Sequence, residues 1–456
     1  AAVLLKMTTR GMQAMGPEIL LPLVLGVMGI LIFIEVPVAF AMGIAGLLGL
    51  VLKRDVNYAT NVLGGVPFEQ SNSFSLTVIP LFILLGVFVV KARVAGDVFQ
   101  IARHILRHIP GGLGAATVMA CAGFAAVSGS SVASVATMSS ISIDEMRKGG
   151  YSDTLASGIV AVAGTLGSMI PPSVLMIIYA MLSGESTGKM LIAGVIPGLL
   201  SAFFYTCYIM LVQRKAPKAT WSTVSETGSS KETRLGDLPW AGLVRIGVIF
   251  ALVVGGIYSG LVTVTESAAV GALAAFVIFV QSNMSKGVAE LWSGLKDALA
   301  SSAETTTTVF AIVIGSGLLS SFFVISRVPQ SLTVWISSLN ADPTLIMILM
   351  LLLLIPLGMF LESISMLVIV VPLFYPVATS LGFDGIWLGI MIIKLVEIGL
   401  ITPPIGISCF VVSGTAKIPI NRVFRGILPF LLVDAVILAV LFTFPILSTW
   451  LPSTMR

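Results

Sequence analysis

The sequence contains few of the residues from which active sites and metal centres are usually built. Its 456 residues include two histidines and three cysteines, and only 10% of them are charged, against roughly 25% in soluble proteins. Cys121, Cys207 and Cys409 each stand alone in apolar surroundings. This pattern predicts buried, inert thiols and offers no disulfide or metal-site spacing. No organic cofactor is expected.

Two kinds of catalytic motif are also missing. The H-E-x-x-H pattern does not occur, and the only histidines are His104 and His108. They lie four residues apart beside arginines, where a solvated helix face is a better interpretation than a metal site. There is no P-loop with its lysine, so ATP is not expected as the energy source. The sequence predicts that the protein is not an enzyme.

Apolar segments make up most of the chain. Hydrophobic residues account for 57% of the sequence, and the mean hydropathy is +1.07. Stretches of about 20 residues with few charges recur, which is typical of an all-α polytopic membrane protein. The basic residues are spread through the loops between these stretches, so the net charge of +4 does not indicate nucleic-acid binding.

Two of the apolar segments contain a pair of adjacent prolines. Pro171-Pro172 and Pro403-Pro404 lie 232 residues apart. Each pair must interrupt a helix, since proline lacks the backbone donor and disfavours helical geometry in the preceding residue. We therefore predict broken helices at 151–183 and 385–412. Matching proline-interrupted segments in two halves of a membrane protein indicate a transporter's binding site.

Each broken helix is preceded by a candidate re-entrant hairpin. Residues 112–146 are apolar at both ends around the tip Ser128-Gly129-Ser130-Ser131, and residues 343–378 have the tip F-L-E-S-I-S at 360–365. The alternative for the first stretch is one span with small residues for close helix packing. The shared 232-residue offset predicts a duplication with halves 1–212 and 241–456, joined by a cytoplasmic linker at 213–240.

The count of spans predicts that the two halves are inverted. We predict five full spans and one hairpin in each half, and an odd number of spans reverses the second half. An N-terminus outside the cytoplasm places 17 of the 25 lysines and arginines on the cytoplasmic side, as the positive-inside rule requires. Amphipathic helices at 91–110 and 326–340 are expected, the first lying in the membrane interface.

In this topology the hairpin tips and the proline breaks meet near the bilayer centre. Half-helix C-termini and hydroxyls offer oxygen ligands to a cation such as Na⁺, while half-helix N-termini donate to anions. The hydroxyls concerned are those of Ser128, Ser130, Ser131, Ser363, Ser365 and Thr402. For any one serine, a hydrogen bond to its own helix is the alternative. Glu362 is interpreted as an ion-site or gating residue. Lys394 and Glu397 are either functional or simply neutralise each other.

Four stretches resemble the large membrane subunit of the TRAP (tripartite ATP-independent periplasmic) transporters. They are I-P-L-F-I-L-L-G at 79–86, S-G-S-S-V-A-S at 128–134, G-T-L-G-S-M-I-P-P-S at 164–173 and K-L-V-E-I-G-L-I-T-P-P-I-G at 394–406. The resemblance covers nearly the whole chain from about residue 16. It implies an elevator-type carrier of the ion-transporter superfamily, driven by Na⁺, in the bacterial inner membrane. The implied partners are a small four-helix membrane subunit and a periplasmic binding protein.

The resemblance also implies the residues of the sites. One Na⁺ would be held by Ser128, Gly129, Ser130, Gly164 and Thr165, and another by Glu362, Ser363, Gly399 and Thr402. The organic-anion substrate is expected at Ser131, Pro171, Ser365, Pro403 and Lys394. The family often carries Asp at the second tip, so Glu362 departs from its pattern. A stand-alone anion carrier without partner subunits is the alternative within transport, and duplicated broken hairpins argue against a channel.

Overall fold

The computed structural model describes residues 17–214, 238–338 and 341–455, and these residues contain helices and no strands. The predicted linker at 213–240 falls largely outside this range. In the first half the helices are α1 (Pro17–Phe33), α2 (Val38–Lys53), α3 (Val56–Ser71), α4 (Val78–Lys91), α5 (Val94–Leu106), α6 (Gly112–Ser128), α7 (Ser131–Lys148), α8 (Asp153–Met169), α9 (Val174–Ser183), α10 (Thr187–Ala193) and α11 (Val195–Gln213).

The second half repeats this order, except that single helices take the places of α3–α4 and of α10–α11 and one short helix is added at the end. Its helices are α12 (Trp240–Tyr258), α13 (Val264–Asn283), α14 (Val288–Ile325), α15 (Val328–Ser338), α16 (Pro343–Phe360), α17 (Ser363–Ser380), α18 (Gly385–Ile401), α19 (Ile407–Ala416), α20 (Ile420–Thr443) and α21 (Ile446–Ser453).

Helix bounds in the two halves follow the offset seen in the motifs. Moving α7 and α8 forward by 232 residues reproduces the bounds of α17 and α18 residue for residue. Local chemistry explains these bounds. The Ser152 hydroxyl accepts from Leu155 N at 3.2 Å where α8 begins, and the Asp384 carboxylate accepts from Trp387 N at 2.8 Å where α18 begins. Both helices end immediately before a proline pair.

Equivalent helices exchange partners between the halves. Helix α2 packs on α14, and its equivalent α13 packs on α4, which corresponds to the C-terminal part of α14. In the same way α9 packs on α17, while α19 packs on α7. The packing between equivalent helices therefore crosses from one half to the other, and one buried core contains residues of both halves.

Eight helices within the described ranges are long and apolar enough to cross a membrane, or nine if the bent pair α8–α9 counts as one span. The axes of α8 and α9 differ by 44° at the break. Both arms of the second hairpin, α16 and α17, are among the eight. Helix length alone therefore does not distinguish a re-entrant arm from a span in this half. The prediction of an all-helical polytopic membrane protein is confirmed.

Helix α14 is the largest difference from the sequence-based expectation. The alternation of charged and apolar residues predicts a linker with Lys286 and Lys296 and then a span at about 303–324, but one helix of 38 residues runs from Val288 to Ile325. Lys296 therefore lies on a helix. The N-terminal part of α14 corresponds to α3, and the C-terminal part of α14 corresponds to α4. In the additional N-terminal turns, Gly294 lies against Phe279 of α13 and Asp297 pairs with Lys91 of α4. Tertiary contacts of this kind override weak local propensity.

The amphipathic helix at 91–110 also packs differently from the expectation. Helix α5 buries Val94, Val98 and Ile101 and lies against α6. Ile105, which is 54% exposed, remains available to acyl chains. Arg103 forms an ion pair with Glu145 on α7. Most of the apolar face of α5 therefore faces protein and not lipid.

Candidate functional site

Both hairpin tips line a single cavity of about 380 Å³. It is enclosed by the α6–α7 tip, the α16–α17 tip, and parts of α4, α8, α9, α14 and α18. Six of the residues selected from the sequence line it: Ser128, Gly129, Ser130, Ser131, Glu362 and Ser363. The expected convergence of the two tips is thus present in the structure.

The first tip is a sharp turn held by close backbone contacts. Helix α6 ends at Ser128, and Gly129 follows with φ +61°, a left-handed conformation that favours glycine. A Cβ on Gly129 would lie 2.5 Å from the carbonyl oxygen of Pro172, and one on Gly86 would lie 2.5 Å from that of Ser128. The tip therefore contacts the first proline break and α4 with almost no free space.

The serines of the first tip have partners of different kinds. The hydroxyls of Ser128 and Ser134 lie 3.0 Å apart. Ser131 is hydrogen-bonded to Ser168 and donates to the carbonyl oxygen of Thr165 at 3.2 Å. Ser130 caps α7 and is exposed to the cavity. The C-terminal end of α6 carries the negative end of the helix dipole, so oxygens and dipole together favour a cation here.

The second tip uses a carboxylate in place of the first tip's serine cap. The Glu362 side chain accepts from Ile364 N at 3.1 Å and from Ser365 N at 3.2 Å, and Ser365 Oγ donates to it at 3.3 Å. These local partners were not foreseen from the sequence. Leu361 precedes it in an extended conformation, where the first tip has left-handed Gly129. Ser363 is buried and also lines the cavity.

The remaining candidates do not line the cavity. Thr165 Oγ1 donates to Val162 O at 2.8 Å, and Thr402 Oγ1 donates to Ile398 O at 2.5 Å, so both hydroxyls bond their own helices. Gly164 lies against Val135, and a Cβ on Gly399 would lie 2.6 Å from the backbone of Gly358. The peptide bonds Pro171–Pro172 and Pro403–Pro404 are both cis. The cavity lining includes none of these residues: Gly164, Thr165, Gly399, Thr402, Pro171, Pro403 and Ser365.

Lys394 lies away from the cavity in a buried cluster of charges. Its ammonium donates to Tyr205 OH at 2.9 Å and to Glu397 Oε2 at 3.1 Å, and lies 2.9 Å from Asp434 Oδ1. All four side chains are almost fully buried. This geometry agrees with the interpretation that Lys394 and Glu397 neutralise each other. Asp434 and Tyr205 are further partners that the sequence did not reveal.

Several cavity residues were also missed by sequence reasoning. Ser168 comes from α8, Ser301 and Thr305 from α14, and Lys91 from the end of α4. A signal was present in the run S-S-A-E-T-T-T-T at 301–308, which is unusually rich in hydroxyls for a membrane segment. Ser301 and Thr305 are four residues apart and therefore share a helix face.

A comparison with known families decides the identity of this architecture. The model of the family described as "Tripartite ATP-independent periplasmic transporter, DctM component" matches residues 25–447. The chain belongs to this family. The expected relation to the TRAP large membrane subunit is confirmed, and the DctM component is a multi-pass membrane transporter protein.

Relatives of this DctM component carry different substrate names. The C4-dicarboxylate TRAP transporter large permease protein DctM of Pseudomonas aeruginosa is 37% identical over 85% of this chain and 88% of the relative. The sialic acid TRAP transporter large permease protein SiaM of Vibrio cholerae is 31% identical, covering 92% and 96%. The isethionate TRAP transporter permease protein DctMQ of Oleidesulfovibrio alaskensis is 30% identical, covering 95% of this chain and 65% of the relative.

A solved structure shares the fold of this DctM component at low identity. The YdaH transporter of Alcanivorax borkumensis, whose crystal structure is described as having an unusual topology, superposes with a TM-score of 0.58. The sequences are 13% identical, and the match covers 85% of this chain and 88% of the other. The likeness concerns the fold alone.

One sequence match to a hydrolase motif has a structural explanation. Residues 184–188, G-E-S-T-G, fit the G-x-S-x-G pattern, which in hydrolases lies between a strand and a helix. Here Ser186 caps the short helix α10 by accepting from Lys189 N at 3.4 Å, and the described residues contain no strand. The capping role explains the motif without catalysis, and the chain belongs to a transporter permease family, which is not an enzyme class.

Proposed function

We propose that the chain carries a small organic anion with a carboxylate group into the cell across the bacterial inner membrane, coupled to Na⁺. The observation that carries the proposal is the cavity shared by both hairpin tips, Ser128–Ser131 and Glu362–Ser363. Paired half-helix ends supply oxygens for a cation and N–H groups for an anion at the same place. An energy-coupled carrier needs both.

The coupling ions would use oxygens from both tips. The first site combines the hydroxyls of Ser128 and Ser130 with backbone oxygens near Gly129, Gly164 and Thr165. The second combines the Glu362 carboxylate and Ser363 with backbone near Gly399 and the Thr402 side chain. Hydroxyl, carbonyl and carboxylate oxygens are the ligands that hard cations prefer. The dipole of α6, which ends at Ser128, adds partial negative charge at the first site.

The names of the relatives and the size of the cavity support a small organic anion as the substrate class. Two relatives are named for carboxylates, namely C4-dicarboxylates and sialic acid, and a third is named for isethionate, a sulfonate. The cavity volume of about 380 Å³ is at the lower end of ordinary ligand pockets, which are about 300–1,000 Å³. Helix α7 begins at the first tip, so its N-terminus offers backbone donors to a carboxylate. At the start of α17 the Glu362 carboxylate already accepts from Ile364 N and Ser365 N.

We further propose that the chain works with a small membrane subunit and a periplasmic binding protein. The combined name and greater length of the isethionate relative DctMQ support a second membrane component. The alternative, a stand-alone carrier, predicts uptake without partners. Co-expression with a tagged candidate subunit and purification of the assembly distinguishes the two. Uptake that needs neither protein would favour the stand-alone carrier.

Alternating access by an elevator movement, with inverted halves, is the mechanism that we propose. The exchange of packing partners between equivalent helices supports a two-fold relation of the halves. The pair α2–α14 and its equivalent α13–α4 involve neither hairpin tip, and are suited to a static frame. The hairpins and broken helices would then move against this frame together with their bound ions.

Na⁺ coupling is tested by uptake into proteoliposomes containing the assembled protein and its binding protein. Succinate, sialic acid and isethionate are the probes, with an inward Na⁺ gradient or with K⁺ or choline in its place. Ser130→Ala and Ser363→Ala should each lower Na⁺-dependent uptake strongly. Ser140→Ala, an exposed serine on α7 outside the cavity, is the matched control. Equal uptake in Na⁺ and K⁺ would contradict the coupling.

A further inference from the structure

The main cavity has a single basic side chain among the described residues that line it. That residue is Lys91 at the end of α4. Lys394, the basic residue selected from the sequence, is fully buried and occupied by Tyr205, Glu397 and Asp434. Because a carboxylate substrate is attracted by a positive charge that it can reach, Lys91 is the residue to consider.

Lys91 also lines a second cavity of about 290 Å³. The two cavities share Val90 and Lys91, so they meet at the end of α4. The second cavity, which we call the vestibule, is more polar than the first. It is lined by Arg93 from the α4–α5 joint and by Glu290, Ser293 and Asp297 from α14.

A continuous row of polar side chains on α14 joins the vestibule to the main cavity. Ser293 and Asp297 line the vestibule, and Ser301 and Thr305 line the main cavity. These four residues are each four positions apart on one unbroken helix, so they form a ridge along it. Lys91 lies where the ridge passes from one cavity to the other.

The ion pair of Lys91 is suited to exchanging its partner. Lys91 Nζ lies 3.5 Å from Asp297 Oδ2, and the two side chains are 39% and 67% exposed. Exposed ion pairs at such distances contribute little to stability, because water screens both charges. A carboxylate entering the vestibule can therefore replace Asp297 beside Lys91 without disrupting packed structure.

We propose that the vestibule is an outer binding subsite for an organic carboxylate, in which Lys91 contacts the substrate and Asp297 competes with it. The anion moves between the vestibule and the main cavity along Ser293, Asp297, Ser301 and Thr305. In the predicted orientation Lys91 lies on the cytoplasmic side, so the vestibule belongs to the release route. This inference rests on the proposed function and adds a site to it.

The electrostatic part is tested without knowledge of the substrate. Ser301→Cys is introduced as a reporter in the purified full chain, and its modification rates by a negatively and a positively charged methanethiosulfonate reagent are compared. The parent without the reporter gives the background from native cysteines. Lys91→Gln should lower the ratio of anionic to cationic rate by about fivefold or more, as expected for loss of a nearby charge. Lys91→Arg should retain the ratio, and Asp297→Asn should raise it.

Lys296→Gln is the matched control. Lys296 lies on the same helix beside the ring of Trp292 and lines neither cavity, so its removal should leave the ratio unchanged. An unchanged ratio in Lys91→Gln would overturn the inference. An equal decrease of the rate ratio in Lys296→Gln would also overturn it, since the effect would then come from the general surface charge. A reporter at 301 that neither reagent modifies would also overturn the inference, since the proposed route along α14 would then be closed to charged molecules.

Uptake separates this inference from the proposed function. With succinate as the probe and the binding protein present, Lys91→Gln should lower the maximal rate of uptake several-fold, because it leaves Asp297 unbalanced on the release route. Lys296→Gln, the matched control, should keep the parental rate. Uptake curves for Lys91→Gln and the parent that coincide would overturn the contact between Lys91 and the substrate. Absence of uptake by the parent with succinate, sialic acid and isethionate would contradict the proposed function, while the labelling ratio still decides the role of Lys91.

Discussion

Gly129 and Pro172 hold the first hairpin tip against the first proline break. A Cβ at Gly129 would lie 2.5 Å from the Pro172 carbonyl oxygen, and the glycine has φ +61°. Both the backbone conformation and the lack of space exclude a side chain. The hairpin tip and the broken helix are thereby joined into one unit, and that unit forms one wall of the cavity.

Gly129→Ala should therefore impair both stability and transport. A left-handed conformation costs a non-glycine residue about 1–2 kcal/mol, and the contact with Pro172 requires the tip to move in addition. Gly184→Ala is the matched control, since Gly184 has φ +77° but nothing within 4 Å of its Cβ position. Thermal unfolding in detergent and Na⁺-dependent uptake measure the two effects. Equal losses in both variants would mean that the contact with Pro172 is unimportant.

Glu362→Gln should keep the fold and weaken the dependence on Na⁺. Glutamine retains an oxygen that accepts from Ile364 N and Ser365 N, as Glu362 does at 3.1 and 3.2 Å, but it lacks the charge that a cation needs. We expect normal insertion and a several-fold higher Na⁺ concentration for half-maximal uptake. A parental Na⁺ curve from a well-expressed variant would remove Glu362 from the ion site.

Asp342→Asn supplies the control for the capping role. Asp342 caps α16 by accepting from Thr344 N at 2.7 Å and Leu345 N at 3.3 Å, and it does not line the cavity. Both substitutions remove a charge from a helix N-terminus, which costs roughly 0.3–1 kcal/mol. Only Glu362→Gln should change the Na⁺ curve.

Lys394→Met should destabilise the protein and not act through the substrate. Removing the ammonium leaves Glu397 and Asp434 buried without their cation, and breaking a buried ion pair in this way costs about 3–5 kcal/mol. Glu397 Oε1 and Asp434 Oδ2 already have no hydrogen-bond partner among the described residues. Adding Glu397→Gln and Asp434→Asn should restore part of the loss. Thermal unfolding is the measurement.

Lys189→Met, at an exposed position, is the control for loss of a lysine and should leave the unfolding temperature nearly unchanged. A Lys394→Met protein with parental stability and a raised half-saturating substrate concentration would instead support the substrate role predicted for Lys394 from the sequence. The two outcomes are distinguished by measuring unfolding and uptake on the same preparation.

Membrane orientation is tested with a pair of single cysteines. Arg107→Cys lies at the exposed end of α5 and Lys189→Cys on α10. With the N-terminus in the periplasm, an impermeant thiol reagent should label position 107 only from the cytoplasmic side and position 189 only from the periplasmic side. The reverse pattern would invert the topology, and labelling of both from one side would contradict the inverted repeat.

The sequence alone determined the positions where helices must break. Pro171-Pro172 and Pro403-Pro404 end α8 and α18 by steric exclusion within a few residues, and Ser128–Ser131 ends one helix and caps the next. Their common offset of 232 residues showed which parts of the halves correspond. Such features are readable because the forces that produce them act between neighbours in the chain.

Only the tertiary structure decided which side chains meet. Lys394 has Tyr205 as a partner 189 residues away in sequence, and Lys91 meets Asp297 on a helix of the other half. No spacing rule links these residues, because buried charges and cavity walls are assembled by packing between helices of different halves. The N-terminal turns of α14 likewise contact Phe279 of α13 and Lys91 of α4, which are distant in sequence or on other helices. Local sterics thus determined the breaks, whereas burial and long-range pairing decided the partners of each charge.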